Sequence, residues 1–275
     1  MLANPRSDRV RAVRALQKRS VRVRTGRFVV EGPQGVREAV RYAPGRVRDV
    51  YATADAAARY AADVLDPARD AGLWVHEVTP EVLDVMAGTD APQGVLAVVD
   101  TEEHGPGPVQ VLEHLLATGP RLLVLLTHVR DPGNAGTVIR AADAAGANAV
   151  LVSEASVDVH APKVVRATAG SLFHLPVLTG LGVPDTLDAL RRHGIRSYAA
   201  DGSGRTLLTD AALDVPHCWV TGNEAWGLSA EVLRACDDVV RVPIHGRAES
   251  LNLAMAATLC LYASAGRSGT VGSGG

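Results

Sequence analysis

Leu122-Leu123-Val124-Leu125-Leu126-Thr127 is an unbroken aliphatic run, with proline and arginine before it and a Pro-Gly pair shortly after. A strand of this composition has no face to offer water, so it belongs in a sheet covered on both sides. Shorter apolar runs follow at 148–153, 195–199, 218–221 and 239–242. Helical spacing fills the intervals at 135–146, 161–168, 185–193 and 229–235, and again at 251–263. Strand and helix in strict alternation predict an α/β domain with a parallel sheet and helices on both faces. In such sheets ligands sit beyond the carboxyl ends of the strands, so the strand-to-helix junctions are where function is sought.

A smaller α/β pattern precedes it. Strands are expected at 27–32, 47–52, 74–78 and 94–99, and helices at 33–42, 56–65 and 80–86. Residues 101–108, with two glycines and two prolines among acids, read as a linker between a first domain at 28–100 and a second at 109–265. The glycine- and serine-rich tail, 266–275, reads as disordered. The chain of 275 residues is long enough for both domains.

Charge is distributed unevenly. The whole chain carries −2, yet residues 1–27 hold nine basic side chains against Asp8 alone. A basic arm on an acidic body suggests a phosphate-backbone partner. Because arginine fills nearly every basic position in the chain, part of this impression is compositional. Cys218, Cys236 and Cys260 are odd in number and widely spaced, and no Cys/His ligand spacing occurs, so neither disulfides nor a metal site is expected. No apolar run spans a bilayer and the start lacks a signal-peptide core, which together predict a cytoplasmic protein with no membrane partner.

Three junctions carry chemistry. Asp131-Pro132-Gly133-Asn134-Ala135-Gly136-Thr137-Val138-Ile139-Arg140 follows the aliphatic strand; Asn134 is a good cap, and Arg140 is a charge on an Ala/Val/Ile helix that snorkels to water, pairs with an acid such as Asp143, or serves a ligand. Val220-Thr221-Gly222-Asn223-Glu224-Ala225-Trp226-Gly227-Leu228-Ser229 is the second, with Gly222 allowing close backbone approach. Val242-Pro243-Ile244-His245-Gly246-Arg247-Ala248-Glu249-Ser250-Leu251-Asn252-Leu253 is the third, where Ser250 serves either as a helix cap or as part of a site.

In this order the junctions resemble the three motifs of the SpoU, or TrmH, family of RNA ribose 2′-O-methyltransferases, within the SPOUT superfamily. The resemblance covers about residues 120–265. The first domain resembles the family's small α/β, L30e-like RNA-binding domain through Thr25–Gly32 and Pro92-Gln93-Gly94. Departures are modest: Asp131 replaces the usual Asn, His245 the usual Met, and Leu253-Ala254 the usual Val-Ser.

The resemblance implies a SPOUT domain with a deep trefoil knot, a feature that periodicity alone never predicts. It implies S-adenosyl-L-methionine as cofactor, held largely by backbone around Gly222, Val242, Ile244 and Leu251. It assigns Asn134, Arg140, Glu224, Ser250 and Asn252 to catalysis on a ribose 2′-hydroxyl, without a metal. It implies a homodimer, in which the 251–263 helix suits an interface as well as it suits a buried core. The expected substrate is structured RNA, with 23S ribosomal RNA favoured over transfer RNA. The rival readings are a base-methylating SPOUT enzyme and a non-catalytic RNA-binding protein.

Overall fold

The computed structural model describes residues 1–102, 107–223 and 225–265. The chain divides into two compact units, Met1–Glu103 with Asp158–His174, and His104–Val157 with Leu175–Gly275. The expected tail, 266–275, and the middle of the expected linker, 103–106, lie outside the described residues.

The first unit contains α1 (Asp8–Ala15), α2 (Arg19–Thr25), β1 (Arg27–Glu31), α3 (Pro33–Tyr42), β2 (Val47–Ala52), α4 (Ala54–Arg59), α5 (Asp66–Asp70), β3 (Trp74–Glu77), α6 (Pro80–Met86) and β4 (Val95–Asp100). Its sheet has the order β1-β4-β2-β3, antiparallel across β4 and parallel between β2 and β3. The helix expected over 56–65 breaks into α4, a wide turn at Ala61–Leu65, and α5. Pro67 lies in the first turn of α5, where its missing N–H costs nothing.

Residues 1–27 are not an extended arm. Val10, Val13 and Leu16 recur every third residue, and this stripe packs against Tyr51, Val82, Leu83, Met86 and Leu96. Arg22 is 5% exposed; its guanidinium donates to Asp158 Oδ2 at 2.6 and 2.9 Å and to the Leu16 and Gln17 carbonyls at 2.8 and 2.9 Å. A buried charge needs such a full set of partners. Arg9, Arg11 and Arg27 are engaged with His76, Asp8 and Asp100. Arg6, Arg14, Lys18, Arg19 and Arg24 are exposed, and so are Arg9, Arg11 and Arg27 despite their partners, so of the nine basic residues only Arg22 is withdrawn from the surface.

The second unit contains α7 (Pro108–Ala117), β5 (Leu122–Leu126), α8 (Pro132–Ala144) and β6 (Ala149–Ser153). The chain then builds α9 (Pro162–Thr168) in the first unit. It returns as β7 (Val177–Leu181), α10 (Val183–Arg192), β8 (Arg196–Ala200), β9 (Thr206–Leu207), β10 (His217–Thr221), α11 (Ala230–Ala235), β11 (Asp238–Arg241) and α12 (Leu253–Ala265). All seven strands are parallel, in the order β7-β6-β5-β10-β8-β11-β9. Every residue of β5, β6 and β10 is buried, as an aliphatic run in a doubly covered sheet requires.

α12 packs on α8 and over β5, β8 and β10. Ala254, Ala257, Cys260, Leu261 and Ser264 form its buried face, whereas Met255, Leu259 and Tyr262 form an exposed apolar stripe at i, i+4, i+7. The helix is thus both part of the core and an uncovered apolar surface. Its last turn is anchored on β10. Trp219 Nε1 donates to Ser264 Oγ at 2.9 Å, and His217 Nε2 lies 2.8 Å from the same oxygen. His217 Nδ1 donates to the Val215 carbonyl at 2.7 Å, and burial holds this imidazole below the ordinary histidine range. The three cysteines are free, and burial pushes the Cys236 thiol up to about 11. Among the described residues no helix is long and apolar enough to cross a membrane, and no His/Cys/Asp/Glu cluster could hold a metal ion.

Candidate cofactor and ribose site

The carboxyl ends of β8 and β10 open onto a cavity of about 480 Å³, within the range of small-molecule sites. Three segments contribute to its lining: Ala200–Gly202 at the end of β8, Thr221, Gly222, Asn223, Ala225 and Gly227 at the end of β10, and Val242, Ile244, Glu249–Leu253 and Ala256 leading into α12. Their residues are glycine, aliphatic side chains and a few polar groups. Such walls offer backbone N–H and C=O to a ligand beside apolar contact, which suits a nucleoside-like molecule.

Gly222 makes the middle wall possible. A Cβ there would lie 2.3 Å from the Gly227 carbonyl carbon and 2.6 Å from Leu228 N. The close approach is locked by two backbone bonds, Asn223 N–H to Gly227 O at 3.0 Å and Gly227 N–H to Asn223 O at 2.9 Å. Asn223 is 6% exposed; its Nδ2 donates to the His128 carbonyl at 2.7 Å and its Oδ1 accepts from Ala225 N at 2.8 Å. This side chain ties the loop after β10 to the loop after β5.

The first junction begins earlier than the sequence predicts. Pro132 occupies the first helical position, so Asp131, not Asn134, is the cap of α8; its Oδ1 accepts from Asn134 N at 2.7 Å. The third junction begins later. Asn252, not Ser250, caps α12, its Oδ1 accepting from Ala254 N at 2.9 Å and Met255 N at 3.3 Å. The other end of the same amide, Nδ2, donates to Asn134 Oδ1 at 3.0 Å. One side chain therefore starts a helix and joins the first motif to the third.

These two roles separate by substitution. Asn252→Asp keeps the capping oxygen but loses the donor to Asn134, so stability is expected to hold within about 0.5 kcal/mol while activity falls at least about tenfold. Asn252→Ala is expected to cost a further ~1 kcal/mol through the lost cap. Thermal melting beside a turnover assay reads both, and full activity in the Asp variant would refute a role for the bridge.

Of the residues singled out from sequence, Gly222, Val242, Ile244 and Leu251 all line the cavity, with Ser250 and Asn252. Asn134 does not line it but is bonded to Asn252. Arg140 lies almost two turns further along α8, exposed, outside the cavity wall and with no hydrogen bond or ion pair to the described residues. It does not pair with Asp143. Glu224 lies outside the described residues. Sequence reasoning missed Asp201, Asn223 and Glu249, two of which carry carboxylates on the wall. Asp201 accepts from Ser203 N and Oγ at 2.9 and 2.7 Å. Its one available signal was an Asp-Gly turn directly after a strand.

A parallel α/β sheet with a cavity walled by the loops after β8, β10 and β11 defines a protein that binds a small organic ligand at strand ends. Comparison with known proteins narrows the class. Residues 121–262 match the SpoU rRNA Methylase family, and residues 7–97 match the MRM3-like substrate binding domain. A 23S rRNA (guanosine(2553)-2′-O)-methyltransferase of Bacillus subtilis is 30% identical over 95% of this chain and 97% of its own length. A 23S rRNA (uridine(2479)-2′-O)-methyltransferase of Streptomyces viridochromogenes is 33% identical over 90% of this chain and 85% of its own. The crystal structure of an AdoMet-bound rRNA methyltransferase from Sinorhizobium meliloti superposes with a TM-score of 0.81 at 29% identity, covering 96% of each chain. The chain belongs to the SpoU rRNA methylase family.

Proposed function

We propose that the protein methylates a ribose 2′-hydroxyl of structured RNA, 23S ribosomal RNA in the first place, with S-adenosyl-L-methionine as methyl donor. The observation that carries this reading is the cavity, which gathers the second and third motifs at the ends of parallel strands, with Asn252 bonded back to the first. The cavity's volume and its mixture of glycine backbone, Val242, Ile244 and Leu251 suit an adenosine with a short polar tail. The bound cofactor supplies an electrophilic methyl on a sulfonium. The sequence resemblance to knotted SPOUT domains is compatible with a wall drawn from three separated segments.

The chain's own residues must align a poor nucleophile with that methyl and manage its charge. Positioning alone can remove on the order of 7–11 kcal/mol of such a barrier. Ser250, whose hydroxyl bonds to no described residue, and the Asn134–Asn252 pair are assigned to orienting the ribose. Arg140 is assigned to clamping a substrate phosphate and stabilising negative charge on the hydroxyl oxygen as the O–C bond forms, the S–C bond breaks and the hydroxyl proton passes to water. A guanidinium remains protonated in proteins, so Arg140 acts as a cation and not as a base. Glu224 is assigned to ordering the loop. A base-methylating reaction would instead need an acidic general base, a role open to Glu224, Asp201 or Glu249, whereas Asp131 already caps α8.

Arg140 lies outside its own cavity wall, on a helix that packs against α12 with its exposed Met255, Leu259 and Tyr262. This arrangement supports a homodimer in which α12 is covered and Arg140 serves the partner's site. Sedimentation of the purified chain at micromolar concentration is expected to give a dimer, and a monomer would remove this part of the reading. A cytoplasmic location follows from a ribosomal substrate.

Mapping 2′-O-methyl positions in ribosomal and transfer RNA from a deletion strain tests the target. One ribosomal position is expected to lose its methyl group relative to the parent. Loss confined to transfer RNA would reassign the substrate.

A further inference from the structure

Trp226 is 62% exposed in the loop after β10, an unusual place for so large an apolar side chain. Its surroundings are ordered in a particular way. The loop is closed by the paired backbone bonds of Asn223 and Gly227, and the buried Asn223 side chain fixes it to the loop after β5. The guanidinium carbon of Arg130, in that second loop, lies 5.8 Å from the indole centroid, within cation–π range. The residues on either side, Ala225 and Gly227, both line the cavity. With Cα atoms about 3.8 Å apart along the chain, the Trp226 backbone lies at the cavity rim, while its ring is not part of the cavity wall.

An exposed aromatic ring beside a guanidinium is the pairing on which unstacked bases are held in single-stranded RNA. Among the described residues the other large exposed aromatics lack this combination: Tyr42 and Trp74, in the first unit, and Tyr262, on the apolar stripe of α12, have no guanidinium over the ring. We infer that Trp226, backed by Arg130, stacks on the base of the nucleotide whose ribose is methylated. Stacking grips a base by its face and reads little of its identity. The platform therefore fixes where the ribose lies, while the choice of nucleotide comes from elsewhere in the RNA. This inference rests on the function proposed above.

The test uses the full chain and a 23S ribosomal RNA transcript, with transfer followed by isotope-labelled S-adenosylmethionine and RNA affinity by filter binding. Trp226→Ala is expected to raise the KM for RNA and weaken RNA affinity roughly 5- to 150-fold, the range for losing one base stack. Turnover at saturating RNA should fall as well, because the ribose is no longer held in place, while S-adenosylmethionine affinity by calorimetry and sedimentation should stay at wild-type values. Trp226→Phe, which keeps a stacking face, should recover most of the loss. Unchanged RNA affinity and KM in the Ala variant, or no recovery in the Phe variant, would overturn the inference. Parallel loss of cofactor affinity would assign Trp226 to loop support instead, and loss of the dimer would assign it to a protein contact. If the wild-type chain transfers nothing to ribose while Trp226→Ala still weakens RNA binding, the function reading falls and the stacking role stands.

Discussion

Arg140→Ala is expected to lower turnover by about two to three orders of magnitude, the loss seen when one preorganised charge-stabilising donor is removed from an active site. S-adenosylmethionine affinity in the same variant should stay near wild type, because Arg140 is assigned to the substrate phosphate and the ribose oxygen, not to the cofactor. Folding should be unaffected as well, since its exposed side chain bonds to none of the described residues. Few substitutions separate catalysis from both binding and stability so cleanly. Arg140→Lys keeps a cation but loses the planar fork that grips phosphate, and should fall between the two. Activity in the Ala variant within about threefold of wild type would remove Arg140 from the mechanism.

The second large effect is expected at Gly222. Gly222→Ala places a methyl group 2.3 Å from the Gly227 carbonyl carbon, and the obstacle is backbone, which cannot swing aside. Either the Asn223–Gly227 bonds break or the loop moves off the cavity. Overpacking of this kind costs about 1–3 kcal/mol. The loss should appear as a lower melting temperature together with a fall of at least about tenfold in S-adenosylmethionine affinity, measured by calorimetry. Wild-type cofactor affinity in this variant would mean that the loop does not form the ligand wall.

These residues were legible in sequence to different degrees, for physical reasons. β5 declared itself because five consecutive buried positions permit only aliphatic side chains. β7 did not: Val177-Leu178-Thr179-Gly180-Leu181 is short, and Gly180 at φ +75° reads as a turn. α1 was hidden because arginines crowd between Val10, Val13 and Leu16, so charge dominated a stripe whose spacing was already helical. α9 could be predicted as a helix, but nothing local says that residues 158–174 leave the parallel sheet to pack in the first unit. That depends on partners distant in sequence, such as Asp158 for Arg22.

The site divides in the same way. Gly222, Val242, Ile244 and Leu251 stood within ordered motifs and reach one cavity. Asp201 was missed because its place on the wall depends on β8 lying beside β10, and strand order is a tertiary property. The two caps were misplaced by a few residues in opposite directions. Pro132 draws the start of α8 back to Asp131, and the bond to Asn134 is part of what holds Asn252, not Ser250, at the start of α12.

The central claim is that the cavity directs a methyl group to a ribose oxygen. Nucleoside mass spectrometry most directly tests it, after incubation of the purified chain with labelled S-adenosylmethionine and 23S ribosomal RNA lacking the modification. The expected result is label in one 2′-O-methylnucleoside, absent when Arg140→Ala replaces the wild-type chain. Label on a base nitrogen or carbon, or the same 2′-O-methyl yield from the variant, would contradict the account.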